Sequence, residues 1–139
     1  MPANDNPSIL LVEDSEDDMF FFSRALQEVS PQSALVHVAD GAAAVERLKQ
    51  APAPDLIFLD LKIPILNGFE VLEWIRAQNF DPQLEVAILS GSDHPADIKR
   101  AMGLGAVGYY VKPLAVSQLR AWLLSWRNRR GISASVGVP

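Results

Sequence analysis

A doubly wound α/β domain on a five-stranded parallel sheet is the fold class the sequence predicts, and three observations predict it. Five short apolar runs alternate with five stretches of helical periodicity. The runs are apolar at consecutive positions, as strands covered on both faces require. The connections are short, so right-handed crossovers set helices on both sides of one sheet.

Residues 8–13 form the first strand, and Glu13-Asp14-Ser15-Glu16-Asp17-Asp18 follows at once. Ser15 reads as an N-cap, with Glu16, Asp17 and Asp18 complementing the positive end of the helix dipole. That helix runs to about Val29, with Phe22, Leu26 and Val29 on one face and Met19 and Ala25 beside them. Residues 30–33 break it at Pro31. Residues 34–38 form the second strand, Asp40-Gly41 a turn, and residues 42–50 a helix with Ala44, Val45 and Leu48 inward. The connector over residues 51–54 is too short to be a domain linker.

Residues 55–60 form the third strand, an apolar run that ends abruptly in Asp60. Pro64 disfavours a continuing strand, and Asn67-Gly68 turns the chain into a helix over residues 69–78. On that helix Val71, Leu72 and Ile75 face inward and Trp74 lies near the edge. Residues 84–89 form the fourth strand, ending at Ser90-Gly91-Ser92. Pro95 opens the fourth helix, which closes near residues 103–105. Residues 107–111 form the fifth strand, before Lys112-Pro113, and the last helix spans residues 116–129. There Leu119, Leu123 and Trp126 make the core stripe, while Trp122 is either a partner anchor or further core. Arg127, Arg129 and Arg130 supply favourable charge at the helix C-terminus. One domain is expected over residues 8–130, with residues 1–7 and 131–139 as flexible tails.

A chain of 139 residues with 49% hydrophobic and 21% charged residues suits one soluble globular domain with a sizeable core. Its net charge of −5 argues against a nucleic-acid-binding surface. The absence of cysteine excludes disulfides, thiolate zinc sites and a cysteine nucleophile. The first residues carry no basic region and no long apolar segment, so neither a signal peptide nor a membrane span is read. The expected compartment is the cytoplasm.

The carboxyl ends of the strands carry the chemistry. In a parallel sheet they lie along one edge, where open α/β sheets hold their ligands. Glu13 and Asp14 end the first strand, Asp60 the third, Ser90 the fourth and Lys112 the fifth. Three carboxylates that converge repel one another, and a hard divalent cation relieves the repulsion. Mg²⁺ takes oxygen ligands and keeps several waters, so Glu13, Asp14 and Asp60 suit it, with a backbone carbonyl just after Asp60 completing the set. Asp60 can then act as a nucleophile toward phosphorus. Lys112 would neutralise a phosphoryl oxygen and Ser90 would donate a hydrogen bond to another. No structural need puts charges at several strand ends together. His37 and His94 have no ligand partners in the sequence and read as structural.

Leu11-Val12-Glu13-Asp14, Asp60 with Pro64 and Asn67-Gly68, Ser90-Gly91, Gly105-Ala106 and Tyr109-Tyr110-Val111-Lys112-Pro113 together resemble the receiver domain of two-component response regulators. The resemblance spans about residues 8–129 and implies a flavodoxin-like (βα)5 fold of strand order 2-1-3-4-5. It implies Asp60 as phosphoacceptor, Glu13 and Asp14 as magnesium-binding acids, and the Lys62 carbonyl as the backbone ligand. It implies Ser90 as the hydroxyl that moves toward the phosphoryl group, Lys112 as the family's lysine, and Tyr109 as the switch aromatic. The phosphoryl group would come from a sensor histidine kinase or a histidine phosphotransfer protein. The output would be a population shift on the face of helix four, strand five and helix five, toward a downstream protein target or a second copy in a homodimer. Such a domain signals rather than turns over substrate, apart from slow self-dephosphorylation.

Lys62 and Ser92, each two residues beyond a site residue, stand where the family flanks the path of attacking water. Ser90 replaces the commoner threonine, and Ile63 stands where methionine is frequent. No output domain is expected after the fifth helix, which resembles a stand-alone receiver. The acidic opening and residues 97–106 resemble the short receivers that accompany bacterial phytochromes. Other functions compete. A pseudo-receiver would act without phosphate. An aspartate-dependent phosphatase on a similar sheet wants a second carboxylate two residues after its nucleophile, where Lys62 stands. A flavin site wants Ser, Thr and Gly after strand one, where residues 13–18 would repel an anion.

Overall fold

Four-residue apolar runs set the centre of the molecule. The computed structural model describes residues 6–80 and 84–131. Its strands are β1 (Ile9–Val12), β2 (Leu35–Val38), β3 (Leu56–Leu59), β4 (Glu85–Ser90) and β5 (Gly108–Val111). Its helices are α1 (Glu16–Val29), α2 (Gly41–Leu48), α3 (Gly68–Ala77), α4 (Pro95–Gly103) and α5 (Val116–Arg129), each following its strand. The strands are parallel and ordered β2-β1-β3-β4-β5, the expected topology.

Side-chain alternation along the strands divides the core in two. Leu10, Val12, Ile57, Leu59, Val86 and Ile88 point to one face, against Ala44 and Leu48 of α2, Val71, Leu72 and Ile75 of α3, and Ala101 of α4. Ile9, Leu11, Leu56, Phe58, Ala87 and Leu89 point to the other, against Phe22 and Leu26 of α1 and Leu119, Leu123 and Trp126 of α5. Trp122 joins this second layer. It is 6% exposed, with its ring 5.5 Å from that of Phe58, so it is core and the partner-anchor alternative falls.

Apolar cover on both faces holds for β1, β3 and β4 but not at the sheet edges. Val36 and His37 of β2 are exposed, as is Val111 of β5, because an edge strand has a neighbour on one side only. Asp40-Gly41 is a helix start rather than a free turn: the Asp40 carboxylate accepts from the Ala43 N–H at 2.7 Å. Asn67-Gly68 does the same for α3 through a capping box with Glu70, 2.9 Å in both directions. Most of each expected tail, residues 1–5 and 132–139, lies outside the described residues. Among the described residues no helix is long and apolar enough to cross a membrane.

Candidate functional site

Glu13, Asp60 and Lys112 sit one rung past the ends of β1, β3 and β5, Asp14 is one residue further on, and Ser90 is the last residue of β4. The Glu13 N–H donates to the Val38 carbonyl at 3.0 Å, the Asp60 N–H to the Val12 carbonyl at 3.1 Å, and the Lys112 N–H to the Ser90 carbonyl at 2.8 Å. The parallel ladder thus carries strand register straight into the site. Carboxylate oxygens of Glu13, Asp14 and Asp60 lie within 4.8 Å of one another. Glu13 and Asp60 are buried and Asp14 is exposed, so the cluster opens to solvent on one side.

The Lys112 ammonium lies against two of these acids, Glu13 and Asp60. Its Nζ is 2.5 Å from Glu13 Oε1 and 2.8 Å from Asp60 Oδ2. It is also 2.8 Å from Asp18 Oδ2, a contact that dipole complementation alone does not foresee. The signal was available: Asp18 follows Asp14 by one helical turn, and the Ser15 cap fixes that turn over the same sheet edge, accepting from the Asp18 N–H at 3.2 Å. Burial pushes the Glu13 carboxyl up to about 7, against the downward pull of Lys112 and the Ser15 N–H. Burial would lower the Lys112 ammonium, but its bonds to Asp18, Asp60 and Glu13 overcome that and push it up. His37 is structural: its Nε2 is 2.7 Å from the Glu13 carbonyl oxygen, which pins the acidic loop to β2.

Backbone holds the loop that follows Asp60. The Lys62 N–H donates to Asp60 Oδ1 at 3.2 Å while the Lys62 side chain stays in solvent. The Gly68 N–H donates to the Leu61 carbonyl at 2.9 Å, and a Cβ on Gly68 would stand 2.4 Å from the Asp60 carbonyl oxygen. Only glycine lets α3 start this close to the strand end. Gly41 does likewise from α2, where a Cβ would meet the Leu66 carbonyl oxygen at 2.0 Å.

Side chains hold the opposite wall. The fully buried Ser90 accepts on Oγ from the Ser92 N–H at 3.2 Å. The Tyr109 hydroxyl donates to the Ser92 carbonyl at 2.8 Å, joining β5 to the β4–α4 loop. Ser92 is buried, and its hydroxyl donates to Asp97 Oδ2 of α4 at 2.6 Å. The pairing with Asp97 was not foreseen, because a five-residue step across a loop and a helix start has no fixed geometry in sequence.

The donor set is three carboxylates, hard oxygen ligands with room for water on the Asp14 side, and it fits a divalent cation of the magnesium type. Burial drives Glu13 toward its neutral form, and a cation at this cluster would favour the charged one. Fold and site together define a doubly wound α/β domain with an acidic edge that fits a cation beside a half-buried lysine. The chain belongs to the response regulator receiver domain family, whose model matches residues 9–124. It is similar to the crystal structure of the phosphorylated cyanobacterial phytochrome response regulator RcpA, with 32% identity, coverage of 88% of this chain and 92% of that one, and TM-score 0.75. The Mn²⁺-bound response regulator Rcp1 matches at 34% identity over 88% of this chain and 92% of its own, TM-score 0.67. These neighbours bear out the likeness to phytochrome-associated receivers. A probable cyclic di-GMP phosphodiesterase of Vibrio cholerae is 33% identical over 82% of this chain, which spans 25% of that protein's length.

Proposed function

We propose that this receiver takes a phosphoryl group on Asp60 from the phosphohistidine of a sensor histidine kinase or a histidine phosphotransfer protein. The supporting observation is the single cluster in which Asp60 meets Lys112 at 2.8 Å and shares a 4.8 Å circle with Glu13 and Asp14. An Asp60 oxygen forms the new bond to phosphorus as the histidine N–P bond breaks and the imidazole leaves. Glu13, Asp14, Asp60 and the Lys62 carbonyl are the proposed Mg²⁺ ligands, and the ion would draw charge from the transferring phosphoryl oxygens. Lys112 neutralises one of those oxygens and Ser90 moves to donate to another. Tyr109, tied to Ser92, carries that movement to α4.

The proposed readout is the face of α4, β5 and α5. Met102, Val107, Val111 and Leu124 expose apolar surface on those elements and their connections, which suits a protein target or a second copy. The proposed compartment is the cytoplasm, in keeping with a cysteine-free chain. Acetyl phosphate with Mg²⁺ should add one phosphoryl group by intact mass, and Asp60→Asn should abolish the gain. An unlabelled wild type, or equal labelling of Asp60→Asn, sinks the reading. A phosphorylation-independent receiver would instead bind its partner equally well as Asp60→Asn.

A further inference from the structure

We infer that Asp18 is an exchangeable partner of Lys112, a built-in competitor that the incoming phosphoryl group must displace. The inference rests on the proposed phosphoacceptor role and adds a residue that sets the affinity of that site. A lysine ammonium has three N–H donors and no more. Three carboxylates already surround Lys112 Nζ: Glu13 at 2.5 Å, Asp18 at 2.8 Å and Asp60 at 2.8 Å. A phosphoryl oxygen can bind this ammonium only if one of them lets go.

The three are not equally held. The Glu13 side chain is 2% exposed and its other oxygen accepts from the Ser15 N–H at 3.1 Å. The Asp60 side chain is 6% exposed and its other oxygen accepts from the Lys62 N–H. The Asp18 side chain is 38% exposed, and among the described residues its carboxylate meets Lys112 alone. Water can take over its bonds, so Asp18 parts from Lys112 at the least cost, whereas the buried Glu13 and Asp60 let go only where a cation or the phosphoryl group takes the place of the ammonium. There is also room. A cavity of about 40 Å³ beside the contact is lined by Asp18, Phe22, Leu89, Lys112 and Pro113 among others, so the lysine stem can swing without repacking the core. The helix does not depend on the Asp18 carboxylate either, since the cap bond uses the Asp18 main-chain N–H.

The test is isothermal titration of the full chain with beryllofluoride at saturating Mg²⁺, comparing wild type, Asp18→Asn and Asp17→Asn. Asp17 lies in the same first turn, is exposed, and carries the same charge with no contact to Lys112, so it controls for long-range electrostatics. Asp18→Asn should bind beryllofluoride about two- to fivefold tighter, the scale of losing a partly exposed ion pair. Asp17→Asn should stay within about 1.5-fold of wild type, because screened exposed charges act weakly at a distance. A crystal structure of the wild-type complex should show the Asp18 carboxylate parted from Lys112. Unchanged or weaker binding by Asp18→Asn, equal tightening by Asp17→Asn, or an intact Asp18–Lys112 contact in the complex overturns the inference and leaves the phosphoacceptor reading standing. A wild type that binds no beryllofluoride overturns both.

Discussion

The two helices that flank the site on one face of the sheet are built differently. α3 starts with a capping box, buries Gly68, Phe69, Val71, Leu72 and Ile75, and presses its first turn against the Asp60 backbone. α4 starts without a side-chain cap, buries only Ala101, and is joined to the site through Ser92, Asp97 and Tyr109. Arg100 lies over the Phe69 ring, 4.1 Å from its centre, an exposed tie between the two helices. Apolar burial is worth about 25 cal/mol per Å², so α3 is anchored and α4 is held by a few polar contacts. Segments with little buried apolar area open most readily. The half that holds Asp60 is therefore stiff, and the half that holds Ser92 and Tyr109 is freer to rearrange.

The comparison breaks first if the α3 side proves soft. Leu72→Ala should cost about 3 kcal/mol, a fall in melting temperature of roughly 10 °C. Gly68→Ala should cost about 2 kcal/mol by overpacking and should also weaken Mg²⁺ binding, because the added carbon moves the Asp60 backbone. A Gly68→Ala protein with wild-type melting and wild-type Mg²⁺ affinity would contradict the clamp.

The stiff half should also show its missing charge. The Glu13 carboxyl is raised in the folded protein from 4.5 to about 7, so its favourable contribution is full below about pH 4.5 and is lost as pH rises through 7. In EDTA the chain should lose on the order of 1–3 kcal/mol from this group between pH 5 and pH 8. Added Mg²⁺ should therefore raise the melting temperature more at pH 8 than at pH 5.5, and equal increments at both would argue against metal at Glu13. Hydrogen exchange gives a direct contrast: amides of α4 should exchange at least about tenfold faster than those of α3. The smallest effect is expected at Tyr109→Phe, about 1 kcal/mol or less, with Mg²⁺ affinity unchanged, since only the bond to the Ser92 carbonyl is lost.

Five strands, five helices and their order were legible because apolar runs and helical periodicity survive in every element. So was the meeting of Glu13, Asp14, Asp60 and Lys112, because strand ends in a parallel sheet must share an edge. The edge strands were over-read as buried, since Leu35-Val36-His37-Val38 is nearly as apolar as a central strand. Asp18 reads in the sequence as a dipole complement alone, because acids that cap and acids that pair look identical until Lys112, past the end of β5, stands beside one. Ser92 and Asp97 were invisible because loop geometry decides their meeting. Trp122 was ambiguous because α5 carries apolar residues on more than one stripe, and Phe58 at the centre of β3 resolved it.

At Gly41 and Gly68 main chain rests on main chain, and no side chain exists there to be varied. The backbone that places Asp60 is thereby insulated from drift, while Asp18 and Lys62 at the rim can be exchanged without moving it. A chain built this way can alter the surroundings of its central carboxylate and leave the carboxylate where it is.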